Sequence, residues 1–146
     1  MSSGYTVRSR EELEPRPDRP GTRWELSAEL GIEPFNLNVA VVDPGGRLSK
    51  NHYHYHENQA ELCYVSRGRC RVEVHDGGHD LGPGDVATFE AGEAGVHVLH
   101  NPYDEPCEVV AVGWPPDGRY PVEMIRETDD LLEERYGDEG PARGGR

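Results

Sequence analysis

Lysine is nearly missing from this chain: Lys50 is the only one, and the other fourteen basic residues are arginines. Basic residues total 15 against 28 acidic ones, for a net charge of −13. Such an acidic surface repels phosphate backbones and anionic lipid, which excludes nucleic acid and membrane surfaces as partners. Long apolar runs are missing as well, so no membrane span is expected. The first twenty residues are charged and proline-rich, without the apolar stretch of a secretory signal. Cysteine is scarce: Cys63, Cys70 and Cys107 are odd in number, with no CxxC and no paired metal spacing. Free thiols in a reducing cytoplasm are expected, not a disulfide framework. No helix-turn-helix pattern occurs, which argues against a self-contained transcription factor. The acidity itself has two accounts, adaptation to high salt or the arginine bias of GC-rich coding.

What the chain has in quantity is punctuation. Eighteen glycines and twelve prolines cut 146 residues into short segments, as a turn-rich all-β protein requires. The residues divide into an irregular arm at 1–21, a β domain at 22–126, and a short acidic helix with a flexible tail at 127–146. Within the β domain, 22–26 reads as an edge strand, 28–31 as a turn, and 35–42 as an alternating strand ending at Pro44-Gly45-Gly46. Further strands are expected at 50–56, 61–66, 69–74, 79–81, 86–90, 96–100, 108–114 and 121–126. In the strand at 69–74, Cys70, Val72 and Val74 point one way, and the arginines and Glu73 the other, as in a half-buried hairpin. Residues 129–136 form a helix closed by Gly137. Eight or more short strands with alternating polarity fold as a sandwich or barrel.

Chemistry concentrates in the run His52-Tyr53-His54-Tyr55-His56, followed by Glu61 and later by His97. A strand sends every second side chain to one face, so His52, His54 and His56 share a face. Imidazole is the commonest ligand for transition metals, and a nearby carboxylate completes a mixed nitrogen and oxygen site. Residues two apart on a strand are separated by about 6.6 Å and four apart by about 13 Å. A metal–nitrogen bond is only about 2.0–2.1 Å, so one ion takes His52 with His54 or His54 with His56. Glu61 follows His56 after four residues, room for a tight turn into a strand lying beside the first. That makes His54, His56 and Glu61 the better set, with His52 further along as a pocket residue.

These residues resemble the cupin superfamily. Its first motif ends in His-x-His, three or four residues, Glu, six residues, Gly. His54, His56, Glu61 and Gly68 match it, whereas the leading glycine is displaced to Gly46. The second motif is met by Gly84, Gly92, His97 and Asn101, with Glu90 in place of the usual proline and a longer gap before the histidine. The likeness runs from about residue 35 to 113 and is nearest to the small single-domain conserved-barrel cupins. It implies a cupin-type β-barrel, or double-stranded β-helix, of jelly-roll form with a short C-terminal helix. It also implies His97 as the fourth ligand of one divalent transition metal and a homodimer as the common assembly. Iron, manganese, nickel, copper and zinc all suit this ligand set.

Other positions have two readings each. Glu61 is a ligand or, beside an open coordination position, a catalytic base. Cys63 shares the face of Glu61 and either lines the cavity or serves as a small buried hydrophobe. Asn36 and Asn38 share a face of their strand, as substrate donors or as the solvent side of an edge. Tyr53 and Tyr55 face away from the histidines, into an outer layer or a subunit contact. His75, His79 and His100 read as surface or edge histidines. Two function classes remain: a metal-dependent enzyme acting on a small organic molecule, of oxygenase, isomerase or lyase type, or a non-catalytic small-molecule binding or sensing domain.

Overall fold

A computed structural model describes residues 4–17, 21–48 and 52–137. The described strands are β1 (Thr22–Glu25), β2 (Asn36–Val42), β3 (His52–His56), β4 (Ala60–Arg67) and β5 (Cys70–Val74), then β6 (Gly77–Leu81), β7 (Val86–Phe89), β8 (Val98–His100), β9 (Cys107–Trp114) and β10 (Val122–Glu127). Two helices accompany them, α1 (Leu26–Leu30) and α2 (Thr128–Tyr136). All pairings are antiparallel. One layer has the order β1-β2-β9-β4-β7. The facing layer comprises the pair β10-β3 and the triplet β6-β5-β8, joined by an isolated bridge between His54 and His97. Jelly-roll layering of this kind meets the all-β expectation, including the short C-terminal helix.

Alternation builds the core. Cys63 and Val65 of β4, Cys70 and Val72 of β5, and Cys107 and Val109 of β9 point between the layers with Val42, Leu81, Phe89 and Leu99. Each such aliphatic side chain gains about 1.5–3 kcal/mol by leaving water. Gly68, which closes the first motif, sits at φ 75°, and a Cβ there would stand 2.3 Å from the Pro106 carbonyl oxygen. Asn101, fully buried, donates to Val42 O at 3.0 Å and Glu105 O at 2.8 Å and accepts from Tyr103 N at 2.9 Å. Its own backbone pairs with Gly45 and Gly46, so this side chain ties the early glycine turn to the second motif.

Four expectations change. Strand β4 does not lie beside β3: β3 pairs with β10, while β4 sits between β9 and β7 in the opposite layer. Residues 57–59 cross from layer to layer, and a gap of that length is equally compatible with a hairpin. The turn expected at 28–31 is instead α1, one helical turn ended by Gly31 at φ 70°. Strand β2 is interior, between β1 and β9, so Asn36 and Asn38 are not on a sheet edge. Glu73 and His100 are buried at 0% and 3% exposure, because α2 covers the face of β5 that was expected to meet solvent. There His100 Nε2 at 2.9 Å, Arg135 Nη1 at 2.8 Å, Tyr136 Oη at 2.9 Å and Arg71 Nε at 3.2 Å surround the Glu73 carboxylate. Tyr53 packs beneath the same helix with Val96, Val98 and Leu131. The tail expected at 138–146 lies outside the described residues. No helix among the described residues is long and apolar enough to cross a membrane.

Candidate metal centre

Period two in β3 turns His54 and His56 into the space between the layers, where both are buried. Glu61 enters from the opposite layer, in a row across the sheet that reads Asn36, Gly113, Glu61, Phe89. Gly113 makes room in that row for the Gln59 side chain, which a Cβ there would meet at 2.8 Å. His97 comes from the segment before β8, held by the backbone exchange with His54 and stacked on Phe89 at 3.7 Å between ring centroids. The ligand atoms of His54, His56 and Glu61 lie within 4.8 Å of one another, a group that can hold a metal ion. Glu61 Oε1 is 3.4 Å from His56 Nε2 and 3.2 Å from His97 Nε2. The His97 ring is 4.9 Å from that of His54.

The second ring nitrogens decide the chemistry. Nδ1 of His54 faces His52 O at 3.1 Å, Nδ1 of His56 faces Arg119 O at 2.7 Å, and Nδ1 of His97 faces Gly95 O at 2.8 Å. A carbonyl oxygen only accepts, so each Nδ1 bears the hydrogen, and the neutral form of each ring then has its Nε2 lone pair facing Glu61. Glu61 Oε1 is buried and has no hydrogen-bond partner. Three lone pairs and a carboxylate oxygen therefore converge with no donor among them. A cation satisfies that arrangement, and backbone-oriented imidazoles are the usual support of metal ligands. The donor set fits a divalent transition metal.

Electrostatics agree. Burial and the neighbouring His97 depress the His54 imidazole to about 4, so it is neutral at pH 7. Burial would raise the Glu61 carboxyl, and holding it at about 2 requires a hydrogen bond donated by His97 and positive charge on His97, His56 and His54. Neutral rings with their lone pairs turned to it supply neither, so a bound cation is what would hold it ionised. Cys63, beneath Glu61 on the same face, is pushed up to about 12 by burial and by the carboxylate, and stays a thiol.

Above these groups lies a cavity of about 350 Å³, within the usual range for small-molecule sites. Its wall includes Asn36, Asn38, His52 and Cys63 as well as the four candidate ligands. His52 stands apart from the converging group, its Nε2 3.8 Å from Glu127. Sequence reasoning missed Arg23, Gln59, Arg119, Tyr120 and Met124, which also line the cavity. Strand parity with Ala40, whose partner is Arg23, was the one available cue; Gln59 lies on the crossing from β3 to β4, Arg119 and Tyr120 on the connection ahead of β10, and Met124 on β10 opposite His54, all placed by tertiary packing.

A family model described as a cupin domain matches residues 38–113, more than half of the chain. This chain belongs to the cupin family. Among solved structures, it resembles a sugar phosphate isomerase of the cupin superfamily from Silicibacter pomeroyi DSS-3, with 28% identity, a TM-score of 0.67 and 74% of each chain covered. It also resembles the polyketide cyclase RemF from Streptomyces resistomycificus, at 23% identity and TM-score 0.69, covering 88% of this chain and 91% of that one. Ectoine synthase from P. lautus aligns at 18% identity and TM-score 0.61, covering 84% and 91%. The last two likenesses show the cupin fold alone. No curated protein matches.

Proposed function

We propose that this cupin is a metal-dependent enzyme acting on a small organic molecule. His54, His56, Glu61 and His97 would hold one divalent transition metal ion, with Asn36, Asn38, His52 and Cys63 on the wall of the substrate pocket. The observation that carries this is the set of lone pairs around the orphaned Glu61 oxygen. A bound ion would act as a Lewis acid, polarising a substrate oxygen or lowering the pKa of bound water. The chain supplies the rest. The three carbonyl contacts keep the imidazoles in one tautomer, and Phe89 holds the His97 ring by stacking. Glu61 is the one carboxylate among the described lining residues and therefore the candidate base.

The test is metal content of the purified protein by elemental analysis, followed by a substrate panel in an oxygen electrode and in deuterated water. One equivalent of metal is expected. Oxygen uptake would assign an oxygenase; deuterium entering product without oxygen uptake would assign an isomerase or lyase, the class that the 28% identical neighbour favours. Protein that folds without metal, takes none up and still binds a metabolite would make it a binding or sensing domain.

The same proposal includes a homodimer, in the cytoplasm where free thiols persist. On the outer face of the five-stranded layer, Tyr64, Val86 and Trp114 are exposed, with Leu62, Val110 and Val112 in register between them. In a chain of net charge −13, that apolar patch is where a second copy can approach with least repulsion. Light scattering should give a dimer mass, and Tyr64→Glu a monomer; a monomeric unsubstituted protein defeats the assembly.

A further inference from the structure

The layer that supplies the imidazoles is split. Its pair β10-β3 and its triplet β6-β5-β8 meet at the isolated bridge of His54 with His97, through backbone hydrogen bonds of 3.1 and 2.9 Å. Close by, Gly92 N donates to His56 O at 2.7 Å. Two of the candidate metal ligands therefore stand on opposite sides of a seam, and their separation is only as fixed as that seam. Period two supplies a second hold, from outside. The alternation that turns His54 and His97 inward turns their neighbours Tyr53, Val96 and Val98 outward. There Leu131 of α2 closes them into one buried apolar cluster, with Tyr55 packed against it.

Helix α2 has the length to span the seam. It follows β10 directly, at Thr128. Its 9 residues rise about 13 Å, and the path from β10 across β3 and β8 to β5 is three strand spacings, about 14 Å. In the first turn Asp129 meets Arg47 Nη2 at 2.8 Å. In the last turn Arg135 donates from Nη1 to Glu73 Oε1 at 2.8 Å and from Nη2 to Val74 O at 2.7 Å, both on β5. The same guanidinium stands 5.7 Å from the centroid of the Tyr53 ring, on β3, within cation–π reach. One side chain thus touches both halves of the layer. We infer that α2 is a staple that fixes the separation of His54 from His97, with Arg135 and Leu131 as positioning residues for the metal centre. Both act through Tyr53, Val96 and Val98, the neighbours of the ligands. The inference deepens the metal-enzyme reading and rests on it for what the staple positions.

The test combines amide hydrogen exchange on metal-free protein with cobalt(II) titration followed by visible absorption. The unsubstituted chain is compared with Arg135→Ala, Arg135→Lys, Leu131→Ala and Val109→Ala. Val109 is buried in the opposite layer and is absent from the cavity wall, so its variant reports loss of stability alone. Arg135→Ala and Leu131→Ala should speed exchange at 52–56 and 96–98 together with α2. They should also weaken cobalt(II) binding about tenfold or more and shift its ligand-field bands. Arg135→Lys keeps the charge without the fork and should recover part of the affinity. Val109→Ala should melt lower yet keep both affinity and bands. Cobalt(II) bound with one affinity and one spectrum in every variant overturns the staple and leaves the metal reading standing. A loss in Val109→Ala as large as in Arg135→Ala overturns the staple as well. If Arg135→Ala fails to fold, Leu131→Ala and Arg135→Lys carry the same comparison. An unsubstituted protein that takes up no cobalt(II) sinks the metal-enzyme reading, and exchange then decides the staple: seam and helix opening together uphold it, α2 opening alone defeats it.

Discussion

Glu73 and Glu61 both face imidazole, and they are opposites. Glu73 is wholly buried, yet His100, Arg71, Arg135 and Tyr136 all reach its oxygens at 2.8–3.2 Å. Glu61 is less enclosed, yet its Oε1 has no hydrogen-bond partner although Nε2 atoms lie at 3.2 and 3.4 Å. The difference lies in which way the hydrogens point. His100 turns a ring nitrogen to Glu73 within a network rich in donors, whereas His54, His56 and His97 spend their Nδ1 hydrogens on backbone carbonyls. A completed cluster holds the fold together. An incomplete one waits for a ligand, because buried polar atoms without partners are costly unless something else satisfies them.

The largest effect expected from this contrast is on stability at Glu73. Glu73→Ala strands Arg71, Arg135 and His100 against one another and undocks α2. A loss of about 3–5 kcal/mol, or a fall in Tm of about 10–20 °C, should appear in thermal melts. Glu61→Ala in metal-free protein removes an oxygen that already lacks a partner and should cost only about 1 kcal/mol. Equal losses at the two sites would erase the distinction.

Acid tests the Glu73 cluster next. Burial would raise the Glu73 carboxyl, but His100, Arg135 and Tyr136 hold it at about 2, against an ordinary value of 4.5. Between those values the unfolded chain binds the proton and the folded chain does not. The contribution is therefore full above about pH 4.5 and disappears as pH falls toward about 2, on the order of 3 kcal/mol in all. Urea unfolding across this window should show that slope, and Glu73→Gln should flatten it. A smaller effect is expected at His52: it lines the cavity outside the converging group, so His52→Ala should retain most of the metal. Elemental analysis reads this directly, and loss of all metal would move His52 into the ligand set. The smallest effect concerns the surface. If the acidity is a high-salt adaptation, stability rises from low to molar potassium chloride; a flat series leaves the coding-bias account.

Period two and spacing were enough to bring His54, His56 and Glu61 together from the sequence, and strand parity placed Cys63 beneath them. The register across β2, β9 and β4 was not legible. A four-residue gap serves a hairpin and a layer crossing equally well, so β3 was expected beside β4 rather than across from it. Glu73 and His100 were misread for a related reason. Alternation assigns faces, but it cannot tell that Arg135 and Tyr136, some sixty residues on, return to cover one of them. Arg119 had no local signal at all, because its place depends on contacts from Asn36, Gln59 and His56.

Anomalous diffraction from crystals loaded with one metal tests the central claim most directly. The account predicts a single strong peak about 2.0–2.2 Å from Nε2 of His54, His56 and His97 and from a Glu61 oxygen. A peak elsewhere, or those imidazoles in place with no peak between them, would contradict it.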